Sequence, residues 1–361
     1  MTNKERLELN NQKIEEITRT LKNKILSISV KGKNIELPEQ FATSTTVYHF
    51  VVNDDSILFS ANTTGVGLWL YKINSTTWTQ LTSQDYFTTF TLIGNYCLTS
   101  ATGSNARGFF SYDIQNETLD KLYSGGRNWN YLTKVTDTKW IIGCGGGSTD
   151  NYGILLYNSD TNTATQIYSV GANYTHLFAI DGVCLISGSN SGAGLFLYDS
   201  KDDSINKIYE DGTFSNIIQL NNKTIFLGSS KILLYDIASR TVRLKTENWY
   251  NTMNYQKVGD NWLFSCISSN TGVWVYNYET NDLTQEYTES YYYNVFHMIG
   301  NDCLISSTNI SHGVLFYNHA DNTIKLLYSG NVWRRFQTVG NDCLIGDTSS
   351  ASYGVLLTPS K

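Results

Sequence analysis

Proline is nearly absent from this chain, with two residues in 361 against 28 glycines. That balance suits many short strands joined by tight turns, since proline is confined to strand edges and turns while glycine supplies the turns themselves. Basic charge is also short. Lys and Arg number 26 against 32 Asp and Glu, for a net charge of −6. No basic stripe runs along the chain, which argues against nucleic acid as a partner. Charged residues make up 16% and aromatics 13%, 25 of them tyrosine, so there is ample material for a core. No apolar run approaches the roughly 18 residues of a membrane-spanning helix. The first 24 residues are highly charged and lack the apolar segment of a secretory leader. The expectation is a chain made in the cytoplasm, with no signal peptide and no membrane insertion.

Signs of catalysis or cofactor binding are equally scarce. Six cysteines stand alone, with no Cys-x-x-Cys and no histidine cluster, so neither a metal nor any other cofactor is expected. Cys97, Cys184, Cys303 and Cys343 occupy equivalent or nearly equivalent places in a repeat, too far apart for disulfides, and read as buried free thiols. His49, His176, His297, His312 and His319 are scattered. A glycosidase would need paired carboxylates near its reaction centre, and the inner strands carry almost none. Gly145-Gly-Gly147 is followed by no Gly-Lys-Ser/Thr, so it is no phosphate loop. Turns such as Asn158-Ser-Asp-Thr-Asn162 are accounted for by turn chemistry without calcium. No enzymatic activity is expected, with polysaccharide degradation as the reaction to be tested against.

What is present is a repeat. The stretch Gly313-Val-Leu-Phe-Tyr317 recurs with its last residue at 71, 112, 157, 198, 235, 276 and, as threonine, 358, giving spacings of 41, 45, 41, 37, 41, 41 and 41. A repeat near forty residues built from short apolar runs marks a β-propeller blade, one four-stranded sheet per repeat. The copy over residues 293–330 shows the plan: a strand ending at the turn Gly300-Asn-Asp302, a second strand, a polar loop, the repeated stretch, an Asx-rich turn and a fourth strand. Eight copies of the first three strands are present and seven of the fourth. Residues 33–37, Lys-Asn-Ile-Glu-Leu, resemble a fourth strand and are expected to complete the last sheet. The expected fold is therefore all-β: an eight-bladed propeller over residues 28–361, closed by an N-terminal strand. Seven blades is the alternative, the weakest copy being residues 229–234, which lack the glycine.

Residues 1–27 read instead as a helix. Thr2-Asn-Lys-Glu5 forms a capping box, and Leu7, Ile14 and Leu21 fall seven apart with Ile17 on or near the same stripe. Such a stripe suits a short coiled coil, with a possible homo-oligomer, or docking onto a partner. Packing along its own propeller is the alternative.

In an up-and-down blade, the loops after strands two and four open at the same end. The second-to-third loops are neutral and rich in Ser, Thr, Asn and Gly. The crossings between blades carry Tyr86, Trp129, Tyr131, Tyr174, Trp249, Tyr250, Tyr291, Tyr292, Trp333 and Arg334. Aromatic rings beside amides and hydroxyls are what a sugar-binding surface needs, so these are the candidate ligand-binding residues. A crossing aromatic can equally wedge between blades.

The repeats match neither the WD-repeat nor the kelch signature. The opening Thr2-Asn-Lys-Glu-Arg-Leu and Asn10-Asn-Gln-Lys-Ile-Glu-Glu-Ile17 resembles the attachment helices of tail and appendage proteins from phages of Gram-positive bacteria. That resemblance covers under a tenth of the chain. It implies a virion protein, tail fibre or related part, joined to other particle proteins by its helix and binding host-surface glycan or protein by its propeller. A structural or decorating role, with the propeller as a docking scaffold, is the alternative.

Overall fold

The computed structural model describes residues 27–30, 32–41, 46–61, 65–83, 87–101, 107–125, 129–145, 153–169, 173–188, 194–210, 212–229, 231–246, 253–266, 272–288, 293–307, 313–329, 333–339, 342–347 and 354–357. The expected helix, with Leu7, Ile14, Ile17 and Leu21, lies outside them. The described residues form repeated antiparallel sheets. Sheet 1 contains Val47–Val51, Ser56–Ala61, Leu68–Lys72 and Thr77–Thr82. Sheet 2 contains Phe87–Ile93, Tyr96–Ala101, Gly108–Asp113 and Thr118–Ser124; sheet 3 contains Trp129–Lys134, Lys139–Cys144, Ile154–Asn158 and Thr163–Tyr168. Sheet 4 contains Tyr174–Ile180, Val183–Gly188, Leu195–Asp199 and Ser204–Tyr209; sheet 5 contains Phe214–Gln219, Thr224–Ser229, Ile232–Asp236 and Thr241–Thr246. Sheet 6 contains Met253–Val258, Asn261–Cys266, Val273–Asn277 and Asp282–Tyr287; sheet 7 contains Val295–Ile299, Asp302–Ser306, Val314–Asn318 and Thr323–Tyr328. Sheet 8 has three strands, Trp333–Val339, Asp342–Asp347 and Gly354–Leu357. Within each sheet the strands pair in chain order. The copy without its glycine, sheet 5, is complete.

The chain divides into two compact units, Met1–Tyr174 and Thr175–Lys361. In the first, Leu58 and Leu70 of sheet 1 pack with Phe87, Cys97 and Tyr112 of sheet 2. The other face of sheet 2, through Leu98 and Phe109, meets Trp129, Ile142 and Tyr157 of sheet 3. In the second unit, Leu185 and Leu195 meet Leu227 and Tyr235 across sheets 4 and 5. Phe226 stacks on Phe264 at 4.4 Å between sheets 5 and 6, and Leu263 and Val275 meet Cys303 and Tyr317 between sheets 6 and 7. The second and third strands are thus buried on both faces, which is why they read as continuous apolar runs. The fourth strands alternate between partly buried and exposed positions.

Two features of the repeated stretch have local causes. At Gly272 and Gly313, in the left-handed region at φ +57° and +78°, a Cβ would overlap the carbonyl oxygen of Tyr287 or Tyr328 at the end of the neighbouring fourth strand. The register shifts at that point, between Val273 and Trp274 and between Val314 and Leu315. A glycine there lets the bulged strand approach. The tyrosine closing the third strand reaches the turn that follows. Its hydroxyl donates to the residue five positions on: Tyr157 to Asn162 at 3.1 Å, Tyr198 to Asp203 at 2.6 Å, Tyr276 to Asn281 at 2.6 Å and Tyr317 to Asn322 at 2.8 Å. Those acceptors sit at φ +49° to +56°, where Asn and Asp are tolerated best. Sheets 2 and 5 place Glu117 and Arg240 there, and the hydroxyls of Tyr112 and Tyr235 are buried without a hydrogen-bond partner among the described residues. In exchange, Glu117 pairs with Lys72 of sheet 1 and Arg240 with Asp199 of sheet 4.

One expectation is corrected. The strand expected to complete the last sheet pairs with its own neighbour: Lys33–Glu36 forms a hairpin with Ser27–Val30. Val30 faces Lys33 with Gly32 at φ +74° between them, so this pairing closes locally, and a short loop loses little entropy on closing. Ile35, Leu37 and Phe41 are then buried against Ile57, Phe59 and Ile73 of sheet 1.

Candidate functional site

Five crossings enter their sheets through an aromatic residue, and the structure shows what that residue does. Phe87, Trp129, Tyr174, Phe214 and Tyr293 are all buried. The backbone N–H groups of Phe87, Trp129 and Phe214 donate to the hydroxyls of Ser60, Ser100 and Ser187 at 2.8, 2.9 and 2.9 Å, and the Ser265 hydroxyl donates to the Tyr293 carbonyl. Each serine is the penultimate residue of the second strand of the preceding sheet. Except for Phe87, which meets Phe110 of its own sheet, the rings lie edge-to-face against the last aromatic of the preceding fourth strand, as with Tyr123 on Trp129 at 5.6 Å and Tyr168 on Tyr174 at 5.9 Å. The Trp129 indole N–H donates to the Gly125 carbonyl at 3.0 Å. Trp129 and Tyr174, expected on a ligand-binding surface, are therefore wedges. At 1% exposure each they present no ring face to a ligand, because Tyr123 and Tyr168 of the preceding sheets, with Ser100 in the case of Trp129, hold them inward.

Tyr131 is different. It is 36% exposed on the first strand of sheet 3, and its ring lies over Gly145, which follows the second strand at the same end. A Cβ at Gly145 would overlap that ring and come within 3.1 Å of the Asn130 side-chain oxygen. The bare backbone thus lets a ring and an amide converge where the polar loop begins. Trp333 and Arg334 open the first strand of sheet 8. Tyr86, Trp249, Tyr250, Tyr291 and Tyr292 lie outside the described residues.

A second concavity sits at the other end of the sheets. Between sheets 6 and 7, a recess of about 440 Å³ is lined by Asp260, Asn261, Asn277, Tyr278, Glu279 and His319, with Ala320 and Asn322 at its side. Asn261 is buried and ties the walls together. Its amide donates to the Tyr317 hydroxyl at 3.0 Å and to Asn322 at 2.5 Å, and its carbonyl accepts the Tyr278 N–H at 2.8 Å. Sequence reasoning passed over this end. The available signal was the second residue of the third turn, isoleucine at 73, 114 and 237 and serine at 159 and 200, but tyrosine at 278 and histidine at 319.

The remaining chemistry is muted. Burial lowers the pKa of His176 and His297, and His297 stacks on Phe336 at 5.5 Å with its Nε2 3.0 Å from the Thr338 hydroxyl. Among the described residues no group of three or more His, Cys, Asp and Glu is placed to hold a metal. Cys97, Cys144, Cys184, Cys303 and Cys343 are free and buried, and burial pushes the thiols of Cys97 and Cys303 up to about 12, which leaves them unreactive.

No protein-family model matches this chain, and no curated protein does. Among solved structures it is similar to the computationally designed Ika8 protein, at 10% identity and a TM-score of 0.38 over 84% of this chain and 95% of that one. It is also similar to the dihydro-heme d1 dehydrogenase NirN, at 9% identity and a TM-score of 0.38 over 86% and 76%. BamB from Moraxella catarrhalis aligns at 11% identity and a TM-score of 0.37 over 71% and 78%. Superpositions this loose assign no activity.

Proposed function

We propose that the eight sheets are the blades of one β-propeller, and that the protein is a non-catalytic appendage of a virion or tail-like particle that binds glycan on the host surface. The repeat of about 41 residues and the face-to-face packing of successive sheets within each unit support the propeller. The convergence of Tyr131, Asn130 and Gly145 carries the glycan reading: an accessible ring to stack on the C–H face of a sugar, with an amide beside it to pair with hydroxyls. The helix expected over residues 1–27, with its Leu7, Ile14, Ile17 and Leu21 stripe, supplies attachment to other particle proteins. Assembly takes place in the bacterial cytoplasm, where the free thiols stay reduced.

The burial of Trp129 and Tyr174 favours a second reading, in which the crossings serve rigidity and the propeller is a docking scaffold within the same particle. One experiment separates the two. Purified chain is tested for retention on immobilised wall polysaccharide of Gram-positive cells, in parallel with immunogold labelling of particles. Retention together with labelling at an exposed tip supports the recognition reading. Labelling without retention supports the scaffold, and retention without labelling removes the particle from the proposal.

A further inference from the structure

We infer that the recess between sheets 6 and 7 is a second saccharide site, in which one sugar ring stacks on Tyr278 and is held by the surrounding amides and carboxylates. It takes its ligand class from the glycan reading above but uses other residues at the other end of the sheets. Tyr278 is 44% exposed, so its ring is available. The recess volume of about 440 Å³ lies within the range of small-molecule sites. Asn277 and Asn322 spend their carbonyl oxygens on the turns themselves: Asn277 accepts the N–H groups of Glu279 at 2.8 Å and Thr280 at 3.1 Å, and Asn322 accepts the Tyr317 hydroxyl. Their amide nitrogens remain as donors, and the carboxylates of Asp260 and Glu279 remain as acceptors. Among the described residues no Lys or Arg lines the recess, which disfavours an anion.

Two further observations set this recess apart from a chance gap between turns. Where isoleucine stands at the equivalent position the turn is capped by an apolar side chain, as with Ile73, which is buried in the core of sheet 1. Sheets 3 and 4 place the small Ser159 and Ser200 there, whereas Tyr278 and His319 bring two polar rings to this position in adjacent sheets, and both line the one concavity. The walls are also fixed in advance. Buried Asn261 bridges both turns, the His319 N–H donates to Asp302 at 2.8 Å, and Gly259 makes room for the His319 ring, which any Cβ there would overlap.

The five histidines make the test direct, since few imidazole signals need assigning. Full-length chain is titrated with the methyl glycosides of glucose, galactose, mannose and N-acetylglucosamine while the imidazole resonances are followed by NMR. The expected result is a saturable shift of the His319 signals by at least one glycoside. Tyr278→Ala, which removes an exposed ring, should weaken that response at least tenfold, whereas Tyr131→Ala should leave it intact. Binding that depends on Tyr131 with His319 unmoved would overturn the second site and leave the glycan reading standing. No binding of any glycoside would overturn both. A His319 response to calcium chloride or methylammonium, but to no glycoside, would make the recess a cation site and overturn the saccharide assignment.

Discussion

Replacing Glu117 by Asn should stabilise the protein. Glu117 holds the position at φ +56° where sheets 3, 4, 6 and 7 place Asn or Asp to accept the third-strand tyrosine. Without that acceptor the Tyr112 hydroxyl is buried and unpaired among the described residues. Its pKa is driven up by burial first and the nearby Glu117 charge second. An unsatisfied buried hydroxyl costs about 1–3 kcal/mol, and asparagine tolerates the left-handed region better than glutamate, adding several tenths of a kcal/mol. Against this stands the lost Lys72–Glu117 pair, whose side chains are 21% and 47% exposed; a pair so open to solvent is worth about 0–1 kcal/mol. The net expectation is a gain of about 1 kcal/mol in equilibrium urea unfolding. A double-mutant cycle sharpens the test. Tyr112→Phe should be close to neutral in the parent, where it removes an unpaired group, and should destabilise by about 1 kcal/mol in the Glu117→Asn background. Tyr317→Phe, which removes the hydroxyl's hydrogen bonds to both Asn261 and Asn322, should destabilise the parent directly. If Tyr112→Phe in the parent costs as much as Tyr317→Phe, or Glu117→Asn destabilises, the third-strand tyrosine does not depend on an acceptor five positions on.

Other expectations follow from the same packing. Gly313→Ala should cost about 3 kcal/mol or more in urea unfolding, because left-handed strain is joined by overlap with the Tyr328 carbonyl, whereas Gly300→Ala, with open space around it, should cost only about 1 kcal/mol. Trp129→Ala empties a buried wedge and should destabilise by about 3–5 kcal/mol in the same assay. Burial lowers the folded pKa of His297, so the unfolded chain binds the proton more readily and this residue's contribution to stability falls as pH drops below the free imidazole value of about 6.5. Comparing parent and His297→Phe in urea at pH 7.5 and 5.5 should show the parent losing more stability on acidification; equal losses would remove His297 as a source of pH dependence.

Much of this fold was legible in the sequence because each repeat obeys local steric rules. The glycine before the third strand marks where a fourth-strand carbonyl crosses, and the closing tyrosine marks a turn bracket. The N-terminal strand misled because residues 33–37 fit a fourth strand in composition, while the short turn beside them offered a nearer partner. The crossing aromatics were harder still. Trp129 and Tyr131 are two residues apart and similar in chemistry, and burial separates them only through Ser100, Tyr123 and Gly145, brought in from elsewhere in the chain. The recess was readable in principle, since Tyr278 and His319 place polar rings at a position held by isoleucine or serine in the five other turns.

The contrast between Trp129 and Tyr131 also gives the most direct test of the proposed role. Isothermal titration of Gram-positive wall polysaccharide into parent and Tyr131→Ala proteins, with thermal melts on both, asks whether the exposed ring serves recognition alone. The expected result is an unchanged melting temperature with affinity reduced at least tenfold. Equal affinity in the two proteins, or a loss of affinity matched by a loss of fold, would contradict it.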